Sequence, residues 1–596
     1  MSPGTTRSTT RSAIRGTAPS RRPARRLPAT LAAATAGTLL VGLAALPVHA
    51  EPALAGSGTD RPIGTVARAA GDARFEPGPC PRTADPIPDL ARARCGTLTV
   101  PEKRPAAENP EQPKGPKDVK EPKGQKGPRE LNRPVEPQRP MAPMGAMGHD
   151  ELTGMRTRTR TITLAVAIMP AQSSRPAPDP IVWLAGGPGD DAVSEIPMAL
   201  AGNLNRDRDV IFMSQRGTYS ADPELTCPNI DRFNAHALGL VSNAPSTGRL
   251  HVEATRACRD SVDAKGADRS TYNDIESAAD YDALRRTLGV RKWNVFGISY
   301  GTHLALNYMR LHPKGIRSVG IDGILPPSVA GGAVTWKAAR EGFDGLFKAC
   351  EEQPECDARY PDLKATFLRL VSELEVDPIT TTVTVPVHPE PVKVVLDGAN
   401  LVTWLTSATH VAAGVPRSID ELAHGNPQRI AEQLAGGKYS PQAIGRVAHG
   451  LVYGIFCSQW TPYESRADII RGGRRAFPSF PQSMLANAPQ LAWLHDDCRA
   501  WDVPPAPPSV RDVTRSDIPT LALSGGFDAQ TAPSNGAYVA RTLSRSTVVT
   551  VPYVAHVVFA DSACAQTITT SFFARPTAPD TGCLAGLQPP RFEIAP

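Results

Sequence analysis

The chain has 596 residues, more than one domain's worth at roughly 100–200 residues per domain. Its 41% hydrophobic and 21% charged residues are globular proportions that exclude a bare disordered tail, and its 60 prolines, about double the usual share, place some proline outside any core. The formal charge of +6 rests on seven arginines in residues 1–50, a stretch without lysine or acid, so the remainder is nearly neutral and a nucleic-acid-binding surface is excluded as its main business.

Residues 1–50 read as an export signal. Arg7, Arg11, Arg15, Arg21, Arg22, Arg25 and Arg26 form a cationic stretch, Leu31 to Leu46 is apolar, and Val48-His49-Ala50 is a small-x-small cleavage site before Glu51. The apolar run is too short and alanine-rich for a good membrane span, so no stable span is expected after signal removal; a retained anchor is the alternative. The paired arginines leave Sec and twin-arginine export undecided. No cysteine near the cleavage point invites lipid modification.

Strands are expected at Thr97 to Val100 and Thr161 to Met169, where Ile162, Leu164, Val166 and Ile168 alternate with smaller or polar residues. Between them, 102–155 is rich in Pro, Lys and Glu and buries too little apolar surface to fold, so it is expected to be a disordered insertion in an early hairpin. A cell-wall tether is its functional alternative; a tolerated surface insertion is the plainer reading, because loop length costs little free energy.

From Pro180 the pattern changes. Apolar strands at Ile181 to Leu184, Val210 to Met213, Trp293 to Phe296, Val319 to Ile321, Thr520 to Leu523 and Val548 to Val551 alternate with helical spacing at Glu276 to Leu288 and through Leu304 to Tyr308. Continuous apolar strands separated by helices imply an α/β fold, a mostly parallel sheet covered on both faces. About 190 residues separate the Ile321 and Leu521 strands, far more than a crossover needs. A mainly helical second domain at 326–517 is therefore expected between a first part of the core at 51–325 and a second at 518–596. It contains helices near Trp336 to Lys348 and Leu363 to Leu374, and a β-rich piece at Thr380 to Val395. Its tryptophans, Trp336, Trp404, Trp460, Trp493 and Trp501, either line a substrate cavity or pack its core.

All ten cysteines lie beyond the leader, and an even count in an exported chain favours disulfides. Connectivity cannot be deduced from sequence; pairing neighbours gives Cys80–Cys95, Cys227–Cys258, Cys350–Cys356, Cys457–Cys498 and Cys564–Cys583. Metal ligation would need close Cys/His clusters, and the sequence has none.

The chemistry centres on Gly297-Ile298-Ser299-Tyr300-Gly301, a G-x-S-x-G between an expected strand and an expected helix. Gly297 and Gly301 permit the sharp turn that projects the Ser299 hydroxyl over a helix N-terminus. A serine needs an imidazole to take its proton and a carboxylate to orient that imidazole, in the chain order Ser, acid, His for this fold. Asp528 and His556 follow two expected strands on the same sheet edge. Alone, Asp528 could cap a turn and His556 could lie on a surface loop; together and in order, they read as orienter and general base. Oxyanion donors are expected from the N–H of Tyr300 and of Gly187, with Gly186 beside it. Gly186 to Gly189 lacks both phosphate-loop endings, G-K-[ST] and G-x-G-x-x-G.

With Gly186-Gly187-Pro188-Gly189, Gln215-Arg216-Gly217-Thr218, Ser299 in its pentapeptide, Asp322-Gly323, Asp528 to Pro533, His556 and the Cys564/Cys583 pair, the sequence resembles the secreted tripeptidyl aminopeptidases of actinomycetes, related to prolyl aminopeptidases among the α/β-hydrolases. The resemblance covers about residues 90–585. It implies an α/β-hydrolase fold with a cap domain over the site, release of short peptides from free N-termini, and support of the Asp528 turn by Thr531. The chain departs from that pattern at Ser214, where relatives usually have Asp, at Ala555, at Asp190-Asp191 and at Gln459. The carboxylate that binds the substrate ammonium is not legible in the cap.

The expected protein is thus a secreted or cell-wall-associated serine hydrolase acting on a peptide or ester, with no metal, organic cofactor or nucleic-acid partner. An esterase with the same triad is one alternative. A catalytically silent cell-wall binding protein on the same fold is the other.

Overall fold

The computed structural model describes residues 73–105, 160–386, 388–439, 445–487, 489 and 491–594. The leader read at 1–50 and most of the proline-rich insertion lie outside these residues. All described residues fall within one compact unit.

The main sheet is built from β1 (Arg74–Pro77), β2 (Arg94–Pro101), β3 (Thr161–Met169), β4 (Ile181–Leu184), β5 (Val210–Met213), β6 (Ala221–Asp222), β7 (Trp293–Ile298), β8 (Ile316–Asp322), β11 (Thr520–Gly525) and β12 (Ser546–Val551); β9 (Ile379–Val383) and β10 (Val392–Leu396) form a separate hairpin. The strand order is β1-β2-β3-β5-β4-β7-β8-β11-β12, with β6 also on β3. From β5 to β12 every pairing is parallel, and the β1–β2–β3 edge is antiparallel. The parallel strands are apolar throughout because side chains alternate between two covered faces. Val182, Leu184, Ile211, Met213 and Val295 enter one core, under the Asp274–Thr287 and Tyr300–Leu311 helices. Ile181, Trp183, Val210, Phe212 and Phe296 enter the other, with Phe559, Ile568 and Phe572.

Glu102, read from sequence as the first residue of the insertion, is among the described residues. It is buried, its carbonyl accepts from Arg216, and Arg104 reaches the Glu276 and Asp280 carboxylates. Charge pairing with helix residues far along the chain carries the ordered hairpin past its strand. Arg216 itself is fully buried and grips Asp280 through Nε and Nη2 at 2.8 and 2.9 Å, a bidentate pair that satisfies both charges.

Between β8 and β11, helices at Gly332–Glu351, Leu363–Val376, Gly398–Ala408 and Val415–Ala423 share a core with the β9–β10 hairpin, centred on Trp336, Phe343, Phe367, Val394 and Trp404. Phe527, Ala529 and Ala555, from the loops after β11 and β12, belong to that same core. Trp460 and Trp501 pack instead into the core over the main sheet. Packing therefore accounts for Trp404, Trp460 and Trp501, while Trp336, central to the helical core, also borders a cavity of about 210 Å³ together with Trp493. The ten cysteines form five disulfides, Cys80–Cys95, Cys227–Cys258, Cys350–Cys356, Cys457–Cys498 and Cys564–Cys583.

The helix after β7 crosses the sheet edge closely: a Cβ on Gly301 would stand 2.2 Å from the Leu184 carbonyl oxygen. Neither backbone can give way without moving a strand. Gly301→Ala is expected to destabilise the fold by about 1–3 kcal/mol and to lower the thermal midpoint. Gly586→Ala, where a Cβ meets nothing within 4 Å, leaves the midpoint unchanged in the same calorimetric scan.

Candidate active site

β7 runs into Ser299, whose φ of 51° and ψ of −124° lie outside the regions ordinary residues favour, and the Tyr300–Leu311 helix begins at once. Gly297 lies against Gly301, where a Cβ would meet the Gly301 carbonyl oxygen at 2.4 Å. Below the turn, the Tyr300 hydroxyl donates to Asp274 Oδ1 at 2.5 Å and accepts from Gln215 Nε2 at 3.2 Å. Asn307 and His303 hold the other Asp274 oxygen at 2.9 and 2.8 Å. A polar network thus fixes the strained turn from beneath.

The structure brings Ser299, His556 and Asp528 together. Ser299 Oγ lies 2.8 Å from His556 Nε2, and His556 Nδ1 lies 2.9 Å from Asp528 Oδ2. Asp528 is 0% exposed and His556 7%. Asp528 Oδ1 accepts the N–H groups of Gln530 and Thr531 at 2.9 and 2.8 Å, while the Thr531 hydroxyl donates to Oδ2 at 2.6 Å and stands 3.2 Å from His556 Nδ1. With every Asp528 oxygen already accepting, Nδ1 carries the proton and Nε2 is left to accept from Ser299. Burial works to raise the Asp528 carboxyl, but His556 and the Thr531 hydrogen bonds outweigh it and hold the carboxyl below its usual range. Burial likewise works to lower the imidazole, and Asp528 outweighs it, leaving His556 above its ordinary value.

Gly186 and Gly187 follow β4. A Cβ on Gly186 would lie 3.3 Å from Ser299 Cβ and 3.5 Å from Asp190 Oδ2, so the loop, Ser299 and the carboxylate are neighbours. The Glu195 carboxylate accepts from Trp183 Nε1 and lies near the Gly186 backbone. The Gly187 N–H has no partner among the described residues. Burial, then the Asp190 charge, pushes Glu195 up to about 8. Burial and Asp191 push Asp190 up to about 6, with His449 opposing. Asp191 is raised by burial against hydrogen bonds led by Ser214 Oγ at 2.6 Å. Two of the departures from the family pattern, Asp191 and Ser214, are therefore contact partners. The 326–517 region rests on this loop: Ala448 N–H donates to the Gly189 carbonyl at 2.9 Å. Gln459 lies in the buried Phe456–Trp460 turn, its amide without a partner among the described residues. No group of three or more His, Cys, Asp or Glu among the described residues is arranged to hold a metal ion.

Residues 179–353 match the family described as alpha/beta hydrolase fold, and 484–584 match the one described as TAP-like protein. Serine protease Hip1 of Mycobacterium tuberculosis (strain ATCC 25618 / H37Rv) is 23% identical over 419 residues, 67% of this chain and 79% of that protein. Proline iminopeptidase of Neisseria gonorrhoeae is 34% identical over 80 residues, 13% of this chain and 25% of that one. Among solved structures, proline iminopeptidase of Mycobacterium smegmatis covers 70% of this chain and 96% of its own at 13% identity and a TM-score of 0.34. The chain is a serine hydrolase of the α/β-hydrolase class. Within that class it is similar to peptidases of the tripeptidyl and prolyl aminopeptidase type.

Glu195, Asp274 and His303 were not singled out from sequence. The available signal was a lone acid in the apolar run after the glycine loop, and an Asp-x-x-Ser helix start. Two outcomes test the site. Thr531→Val removes a hydrogen bond to a buried charge, of order 1.5–3 kcal/mol, and lowers kcat about tenfold to a hundredfold with little change in KM. In a pH series, kcat/KM falls on the acid side as His556 gains a proton. It falls on the alkaline side as Glu195 ionises near 8 and sets a negative charge beside the Gly186-Gly187 amides. With a substrate that carries no titrating amine, Glu195→Gln is expected to abolish the alkaline limb alone.

Proposed function

We propose that the protein is an exported aminopeptidase that releases short peptides from free N-termini through a Ser299–His556–Asp528 triad. The observation that carries this reading is the continuous hydrogen-bonded chain from Asp528 to His556 to Ser299, at 2.9 and 2.8 Å. Ser299 Oγ attacks the scissile carbonyl carbon while His556 Nε2 takes its proton, and Asp528 steadies the imidazolium. The N–H groups of Gly187 and Tyr300 receive the oxyanion; the latter is a first-turn donor that a helix leaves unpaired. His556 then returns the proton to the leaving amine, the C–N bond breaks, and an acyl-enzyme remains. Water, deprotonated by His556, hydrolyses that ester and restores Ser299.

Two features favour a cationic peptide end as substrate. The relatives include proteins named as a serine protease and a proline iminopeptidase. Asp190, whose side chain has no hydrogen-bond partner among the described residues, stands near Ser299, where a carboxylate alone opposes a developing oxyanion and an ammonium cancels it. Export is supported by the leader in 1–50 and by five disulfides, which persist in oxidising compartments. No helix among the described residues is long and apolar enough to cross a membrane.

The test is hydrolysis of matched peptide amides with free and acetylated N-termini beside a short-chain ester. Free peptides are expected to be the best substrates, and Ser299→Ala to lower kcat by about ten-thousandfold or more. Asp190→Asn is expected to weaken turnover of free peptides and to narrow or reverse the preference over acetylated ones. Preference for acetylated peptides by the unmodified chain, or turnover of the ester alone, overturns the aminopeptidase reading.

A further inference from the structure

Asp322 closes β8 and is fully buried, yet it faces no substrate and belongs to no triad. Its main-chain carbonyl accepts the Ser299 N–H at 2.8 Å. Its carboxylate accepts two further backbone donors, Val558 N–H on Oδ1 at 3.1 Å and Phe559 N–H on Oδ2 at 2.8 Å. One residue therefore grips the backbone of the nucleophile with its main chain and the backbone just after the general base with its side chain. Those two segments are 257 residues apart in sequence.

The second grip holds a strained segment. Val557, between His556 and the two donors, has φ 60° and ψ 74°, the left-handed region that a β-branched side chain disfavours. Such a conformation persists only where its surroundings over-determine it. Two charge-assisted hydrogen bonds to consecutive N–H groups, made inside the protein, supply that constraint. The next residue completes the fit. Gly323 has a φ of 68°, and a Cβ there would stand 2.8 Å from His556 Cε1, so the imidazole rests against the backbone that Asp322 anchors.

Resting on the triad reading above, we propose that Asp322 is a positioning residue that sets the register between Ser299 and His556. It fixes the serine through its carbonyl and the histidine loop through its carboxylate. The charges facing the Asp322 carboxylate are His556 and Asp528. Burial pushes it up to about 7 against its two N–H donors, and in its ionised form it favours the imidazolium. Asp322 thus also adds to the charge that stabilises His556 when the serine proton arrives.

Asp322→Asn tests this with almost no change of shape. Its amide can accept one N–H but turns two hydrogens toward the other. The expected result is a fall in kcat of about tenfold to a hundredfold, the size of effect that a small misplacement of reacting groups produces, with KM within twofold. The acid limb of the pH profile moves to lower pH, because a negative charge beside the imidazole has been removed. Fluorophosphonate labelling of Ser299 slows in parallel. Asp322→Asn combined with Val557→Gly is expected to recover part of the lost kcat, because glycine adopts the left-handed conformation without a clamp. Wild-type kcat and pH profile in Asp322→Asn overturn the inference. So does loss of the native fold in both the single and the double variant, which would make Asp322 a determinant of folding and not of register. An intact chain that fluorophosphonate does not label removes the triad reading and this one together; a reactive intact chain with an indifferent Asp322→Asn removes this one alone.

Discussion

The carboxylate of Asp528 is a full charge with no exposed surface, and the site is organised around making that tolerable. Moving an isolated carboxylate out of water costs several kcal/mol even after relaxation, so a buried one keeps its charge only where donors surround it. Here there are four: two backbone N–H groups, the Thr531 hydroxyl and His556 Nδ1. Three come from the turn just after Asp528, and the fourth comes from the loop after the neighbouring strand. Closing the last hydrogen bond is what orients the imidazole toward Ser299. Stabilising the buried charge and aligning the base are thus one interaction.

The burial itself is supplied from outside the sheet. The Gly332–Glu351 helix of the insertion lies on the Asp528 turn so closely that a Cβ on Gly342 would meet the Ala529 nitrogen at 2.6 Å. Phe527, Ala529 and Ala555, which flank the acid and the base, pack into the insertion's core. The 326–517 region therefore excludes water from the charge pair. A change in its packing would reach the chemistry through the dielectric around Asp528 without touching a reacting group.

The elements that were legible in the sequence are those fixed by local rules. The G-x-S-x-G reads as an elbow because a strand must end and a helix must begin within a few residues, and only glycines fit where Gly297 and Gly301 meet neighbouring backbone. The parallel strands read from unbroken apolar runs, since each is covered on both faces. Asp528 and His556 read from their place at strand ends. What stayed hidden depends on contacts distant in sequence. Glu102 looks like the start of a polar tract, but Arg216 and the charges near it fold it in. Asp322 looks like the end of a strand, and nothing near it in sequence shows that its carboxylate holds residues 558 and 559. Trp404, Trp460 and Trp501 fit either a cavity or a core by composition, and packing alone decides for the core.

The glycine loop shows how the family pattern can shift without loss of logic. A small residue gives way to Asp191, and the acid usual before Gln-Arg-Gly gives way to Ser214, yet the two side chains still meet as acceptor and donor at 2.6 Å. With Glu195 and Asp190 also close, the loop proposed to receive negative charge is itself ringed by acids. That arrangement is consistent with acyl transfer only if Glu195 keeps its proton and the Asp190 charge meets a cation. The first follows from burial, which pushes Glu195 up to about 8. The second is a demand on the substrate. Under the aminopeptidase reading proposed above, a free amino terminus would bring the missing positive charge with it, and the electrostatic defect of the loop would select what enters.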